Sequence, residues 1–361
     1  MPGSDLLTIA IDTIDARSSS ALRAYPAFNL SSRIVVGRST LLQTEAWAWL
    51  KFNQLPDSLL PATFIEAHLE LYGDYANGGS GALSFDLHEG LLDWHAPTQT
   101  TNDSLTLDLI TPNTYYVSTP FSSYSGVVSP DTAKISVPLD TALVRKWFKA
   151  SVDTATRNYG MVLKPTNADH IHGFVGFNSF STTVRPKLVV LYRKSGSTIV
   201  DTARYSAGID RFLTQFFGTT DDSTEIIVHS GYIRRGVVNF DNFVVPRNYG
   251  IHKAVLELTV KSSIGLSSYS RDSLFAYLLT PNGVNQSFAS LSEKATVGSD
   301  IVYRIVITDF VRLWGELAPL RAVALAGLSE GNSVDIFRLH GHASSLISAR
   351  PRLIISYTEF K

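Results

Sequence analysis

The chain of 361 residues carries a formal net charge of −1, has 17% charged and 11% aromatic residues, and contains no cysteine. This balance offers no basic stripe for nucleic acid, and the missing thiols exclude disulfides, thiolate metal sites and a cysteine nucleophile. The length suits two domains, each able to bury about 70% of its unfolded surface, and no apolar run approaches the roughly 18 residues of a membrane span.

Leu7, Ile9 and Ile11 alternate with Thr8 and Ala10, predicting a leading strand. It belongs to a lead-in, residues 1–30, expected to pack on the first of two sandwiches. Next, Ala48-Trp49-Leu50-Lys51-Phe52-Asn53, closed by Pro56, reads as a half-buried strand with Leu50 and Phe52 inward. Ala67-His68-Leu69-Glu70-Leu71 alternates likewise, making Glu70 a solvent-face residue. An insert at about 96–130 follows, rich in Ser, Thr, Asn, Pro and tyrosine. Leu143, Val144 and Trp147 share one face of a short helical turn. Arg185-Pro186 then opens a closing strand, Leu188 to Tyr192, with the proline where its missing N–H costs least.

After the polar, glycine-bearing join Lys194-Ser195-Gly196-Ser197-Thr198, four of these blocks recur in order. They are Gly236 to Asp241 with Pro246, Ala254 to Leu258 with Glu257 in place of Glu70, Val311 to Trp314, and Arg350 to Tyr357. The offset falls from about 188 to about 166, so the first copy holds roughly 20 extra residues. Before the second copy, Ile209, Phe212, Leu213 and Phe216 have helical spacing, so its lead-in is expected to differ from the first. The fold class predicted is all-β: two tandem jelly-roll-like antiparallel β-sandwiches, at residues 31–194 and 195–361.

These blocks resemble the DNRLRE domain family, which overlaps a carbohydrate-binding module family with alginate-binding members. The resemblance rests on Leu50 to Pro56, Ala67 to Tyr72, Asp93-Trp94, Leu143 to Trp147, Asn158-Tyr159-Gly160 and Arg185 to Tyr192. The second copy keeps the strands and Trp314 but lacks the Asn-Tyr-Gly stretch, and neither copy has the name-giving hexapeptide. The resemblance implies a jelly-roll sandwich in a secreted or surface-attached protein, with Trp94 in the core. It transfers no binding site. The first residues show no basic segment followed by an apolar one, so the chain reads either as cytoplasmic or as the mature part of an exported protein whose signal peptide has been removed, the second being what the resemblance implies.

Trp47, Trp49 and Lys51 share the outer face of one strand, a pattern suited to stacking on sugar rings beside a cation. The alternative is cover by a loop or by the other domain. In the insert, Tyr115, Tyr116 and Tyr124 could rim a ligand surface or a subunit contact, or pack on their own sandwich. His170-x-His172 and His340-x-His342 are weak metal patterns, and Asp221, Asp222 and Glu225 a weak calcium pattern, so no cofactor is expected beyond a structural calcium. No nucleophile elbow, phosphate loop or metalloprotease motif occurs. The expectation is a non-catalytic, extracellular polysaccharide-binding protein. The rival is a structural surface or filament subunit whose partners are other subunits.

Overall fold

The computed structural model describes residues 9–23, 31–78, 81–92, 107–131, 133–166, 169–219, 221–244, 249–263, 265–314 and 320–359. The N-terminal stretch forms β1 (Ile9–Asp15) and β2 (Ser18–Arg23). The first repeat contributes β3 (Arg33–Ser39), β4 (Thr44–Lys51), β5 (Thr63–Gly78), β6 (Leu83–Glu89), β7 (Ser122–Gly126) and β8 (Lys134–Leu139). It continues with α1 (Thr141–Lys149), β9 (Met161–Pro165), β10 (His170–Val175) and β11 (Lys187–Arg193). Two strands follow, β12 (Asp201–Ser206) and β13 (Ile209–Phe216). The second repeat then runs through β14 (Glu225–His229), β15 (Arg234–Asn239), β16 (Tyr249–Ser262), β17 (Leu274–Thr280) and β18 (Gly283–Val297). It ends with β19 (Asp300–Val306), α2 (Thr308–Trp314), β20 (Ala322–Gly327), β21 (Ile336–His340) and β22 (Arg352–Glu359).

The strands form two antiparallel sheets, each curled around its own core. The long strands β5 and β16 turn the corner between layers. The first half of β5 pairs with β11 and β8 and its last residues with β10. Likewise β16 pairs with β22 and β19 and then β21. In the second unit β18 is continuous from β17 to β19, so the sheet closes as a barrel. The first unit interrupts the same path between β7 and β8 and stays a half-barrel. The cores use matching residues: Leu50, Phe52, Leu69, Trp147 and Leu188 in one, Val238, Phe240, Leu256, Trp314 and Leu353 in the other. Both tryptophans are fully buried, on helices α1 and α2 as their spacing predicts.

The lead-ins are exchanged. Residues 9–23, expected on the first sandwich, lie on the second: β1 pairs with β22 and β2 with β15. In return β12 pairs with β11 and β13 with β4 of the first unit. The two exchanges match residue by residue. Leu188 faces Tyr205 and Leu353 faces Ile14. The amide of Ala207 donates to the Pro186 carbonyl at 2.9 Å, and that of Ala16 to Pro351 at 2.9 Å. Gly208 N–H donates to Lys51 O, and Arg17 N–H to Asn239 O. The physical reason is edge protection. Without these strands, β4 and β11 of one unit and β15 and β22 of the other would expose unpaired backbone, a template for aggregation.

The helical spacing read in Ile209 to Phe216 is also corrected, because this segment is strand β13. Asp210 through Thr214 are all buried, on both faces. Phe212 joins the packing between the units and Leu213 covers Trp47, so no polar face remains to show a two-residue period.

The units meet through equivalent outer-face residues, Val35 with Ile171 from the first and Ile227 with Ile336 from the second. Such a contact is nearly self-complementary, like that of a twofold dimer. Polar groups pin it. Tyr75 Oη donates to Asp335 Oδ1 at 3.3 Å, Asn77 Nδ2 to Gly265 O at 3.0 Å, and Arg33 Nη1 to Asn332 O at 2.7 Å. The Thr44 hydroxyl bonds His229 Nε2 at 2.8 Å.

Candidate functional site

Alternation along β4 points Ala48, Leu50 and Phe52 into the core and Trp47 and Trp49 to the outer face, as expected. That face is closed rather than open. Trp47 is 7% and Trp49 3% exposed, so neither offers a ring to solvent. Leu213 of β13 and Leu107, Ile110 and Tyr116 of the insert lie over them. The two indoles stack at 6.2 Å between centroids, Tyr116 meets Trp47 edge-on at 5.7 Å, and Trp47 Nε1 donates to Glu45 Oε1 at 2.6 Å. Lys164 Nζ sits 5.0 Å above the Trp47 ring and donates to Tyr116 Oη at 3.2 Å.

Of the tyrosines, Tyr115 packs half-buried against this cluster. Tyr124 does not: it stacks on Phe85 at 5.3 Å beside the sandwich core. The stacking platform expected from Trp47, Trp49 and the tyrosines is therefore an internal aromatic core. The cause is that an aromatic face this large is more stable covered than wet. Trp94 lies outside the described residues.

Lys51 has a different setting. It lines a depression of about 340 Å³ with Asn53, Ser151, Arg157, Asn158 and Tyr159. A cleft of about 780 Å³ adjoins it along α1, sharing Thr156, Arg157 and Tyr159 and adding Arg145, Lys146, Lys149 and Glu89. The local fold explains the shape. Asn158 Nδ2 donates to Phe52 O at 2.8 Å and its Oδ1 accepts from Gly160 N–H at 2.9 Å. Gly160 has φ +76°, where any Cβ would strike the Leu50 carbonyl, so the Asn-Tyr-Gly stretch is pinned to the end of β4. Helix α1 is capped by Asp140 Oδ1 accepting from Ala142 N–H at 2.8 Å and buries Leu143, Val144, Trp147 and Phe148. This turns Arg145, Lys146 and Lys149 outward.

Five cations line the paired depressions against the carboxylate of Glu89 among the described lining residues. Arg145 donates to the carbonyls of Ala62 and Leu60, Lys146 pairs with Glu89, and Lys149 pairs with Asp153 at 3.4 Å. The Thr156 hydroxyl and the Ala155 amide hold the Asp153 carboxyl below its ordinary range. Sequence reading missed Arg145, Lys146, Lys149, Arg157 and Tyr159 as site residues. The available signal was charge clustering: Arg145, Lys146, Lys149, Arg157 and Lys164 fall within twenty residues that hold one acid, Asp153, in a chain of net charge −1. The second repeat has Leu313 where the first has Lys146.

Most residues of the weak metal patterns have other partners, and His172 is set apart by burial. His172 is buried, and desolvation lowers its pKa to about 4, with His170 adding to the shift. His340 Nδ1 bonds Ser344 Oγ at 2.9 Å, and His342 Nδ1 accepts from Ser19 N–H at 3.0 Å. Asp222 pairs with Arg234, Glu225 with Lys261 and Arg338, and Asp221 accepts from Ser223 and Thr224. Among the described residues no three metal-ligating side chains converge. Glu70 and Glu257 are also not solvated. Both are buried, Glu70 against Lys134 at 2.9 Å and Glu257 between Arg304 and Arg352. No protein-family model matches the chain, and no curated protein matches it.

Proposed function

We propose that this chain is a non-catalytic protein that binds acidic polysaccharide outside the cell, with the cleft along α1 as its recognition surface. One observation carries the reading: Lys51, Arg145, Lys146, Lys149 and Arg157 converge on adjoining depressions that also contain Tyr159. Existing pairs there do not block a ligand. Exposed ion pairs contribute only about 0–1 kcal/mol each, so a polyanion replaces them at little cost. Tyr159 adds an apolar face beside the charges, the combination a uronate ring requires. Glu70 and Glu257 are tied to cations rather than facing one another, which favours binding over glycoside cleavage. The extracellular setting follows the family resemblance.

Titration calorimetry of the full chain with an oligouronate series and a neutral glucan series tests this. Oligouronates are expected to bind in the micromolar to millimolar range and to weaken with added salt as screening shortens to about 8–10 Å. Arg157→Glu combined with Lys149→Gln should weaken binding at least tenfold with an unchanged melting curve. Equal binding of neutral glucans, or no uronate binding by the folded chain, overturns the reading. A second reading, a structural subunit, is favoured by exposed apolar tips on matching loops, Phe180 in one repeat and Leu346 with Ile347 in the other.

A further inference from the structure

We infer that copies of this chain join by exchanging residues 9–23, the β1–β2 segment of one copy capping β22 and β15 of another. The fold already uses this connection once. Between repeats, β12 and β13 leave the second copy's sequence to complete the first unit, and β1 and β2 do the reverse. An exchanged partner makes the same hydrogen bonds and the same register, so no new surface has to evolve.

The two lead-ins are not equally held. β13 buries five consecutive residues, Asp210 to Thr214, whereas β2 buries Ser19 alone among its six. Ile9 and Ile11 of β1 are exposed. Because β1 covers β22 and β2 covers β15, release of this one segment uncovers both edges at once. Uncovered edges are the natural receptor for a matching strand pair. In dilute solution the chain's own segment wins, because a short tether holds it at millimolar effective concentration. Exchange therefore appears when chains refold together at high concentration.

The absence of cysteine makes the test clean. Thr13 faces Ile354 across the β1–β22 ladder, within disulfide reach. Thr13→Cys and Ile354→Cys chains, given different mass tags, are refolded together and oxidised. A mixed Thr13→Cys/Ile354→Cys disulfide dimer is expected, at least tenfold above that formed between Thr13→Cys and Leu191→Cys, whose cysteine lies on the β11 edge that β12 occupies. The double variant, Thr13→Cys with Ile354→Cys in one chain, should close internally when refolded dilute. Internal closure without any mixed dimer overturns the inference. Sedimentation of the unmodified chain refolded at the same concentration needs no variant. Dimers or longer runs that persist on dilution support exchange, and monomer alone contradicts it. These readouts do not depend on glycan binding, so either proposal can fail separately.

Discussion

β12–β13 and β1–β2 cap equivalent edges of the two units, yet their chemistry differs because the surfaces they cover differ. β13 lies against an outer face carrying Trp47 and Trp49, and it answers with Leu213 while the insert adds Leu107, Ile110 and Tyr116. β2 lies against β15, where Arg235 and Val237 stand in those places. Arg235 is satisfied by Glu330 at 2.6 and 3.0 Å and stacks on Tyr277. A face satisfied by polar partners needs little cover, and β2 is mostly Ser, Ala and Arg. The repeat thus conserves backbone pairing at the exchanged edges while letting side-chain cover follow each local surface.

One pair of equivalent residues puts a charge into this comparison. Asp210 Oδ2 accepts from the Phe177 amide, as Ser19 Oγ accepts from His342 N–H at 3.3 Å. Asp210 is buried and its Oδ1 has no hydrogen-bond partner among the described residues; desolvation raises its pKa to about 7 despite the Phe177 bond and Arg185. A folded-state pKa raised above the unfolded value gives stability that is full below about pH 4 and is lost as pH rises toward 7. Asp210→Ser should remove that loss, on the order of 4 kcal/mol, from the pH-stability curve. The comparison with wild type isolates it from two histidines of opposite sign. Burial lowers His172 to about 4 and His229 to about 3, so their contribution is full above about pH 6.5 and lost as pH falls. Parallel curves for variant and wild type between pH 4 and 7 would show that Asp210 is solvated.

A smaller effect separates the repeats at Glu70 and Glu257. Burial opposes ionisation at both, but Lys134 at one and Arg352 with Arg304 at the other outweigh it and hold both carboxyls below their ordinary range. Glu257→Gln leaves two arginines without their acceptor and should cost about 1.5–3 kcal/mol at neutral pH. Glu70→Gln, which releases one half-exposed lysine, should cost about 1 kcal/mol or less. Equal costs in chemical denaturation would remove the distinction.

Much of the fold is legible in the sequence because its signals are local. The Leu-x-Phe and Leu-x-Leu alternations, the Val-x-x-Trp turns and the Arg-Pro strands each mark one element, and their recurrence marks the repeat. The exchange is not legible, since Ile9 to Asp15 reads as a strand whichever unit it joins. Partner choice lives in the register between Leu353 and Ile14, hundreds of residues apart. β13 misleads for another reason: a strand buried on both faces has no alternation. At the site, Trp47 and Trp49 announce an outward aromatic face, but cover by Leu213 and Tyr116 comes from distant segments. The cleft along α1 was readable only as charge density, because its walls come from α1, the Asn158 turn and the end of β4.

Each repeat is completed by the other's lead-in, and thermal unfolding of two fragments puts this pairing to the test. Residues 31–216 contain the first repeat with β12 and β13, whereas residues 1–194 contain the first repeat with its own lead-in. The 31–216 fragment should unfold cooperatively with a folded baseline, and the 1–194 fragment, with β4 and β11 uncapped, should lack a cooperative transition or aggregate. A 1–194 fragment as stable as 31–216 would contradict the claim.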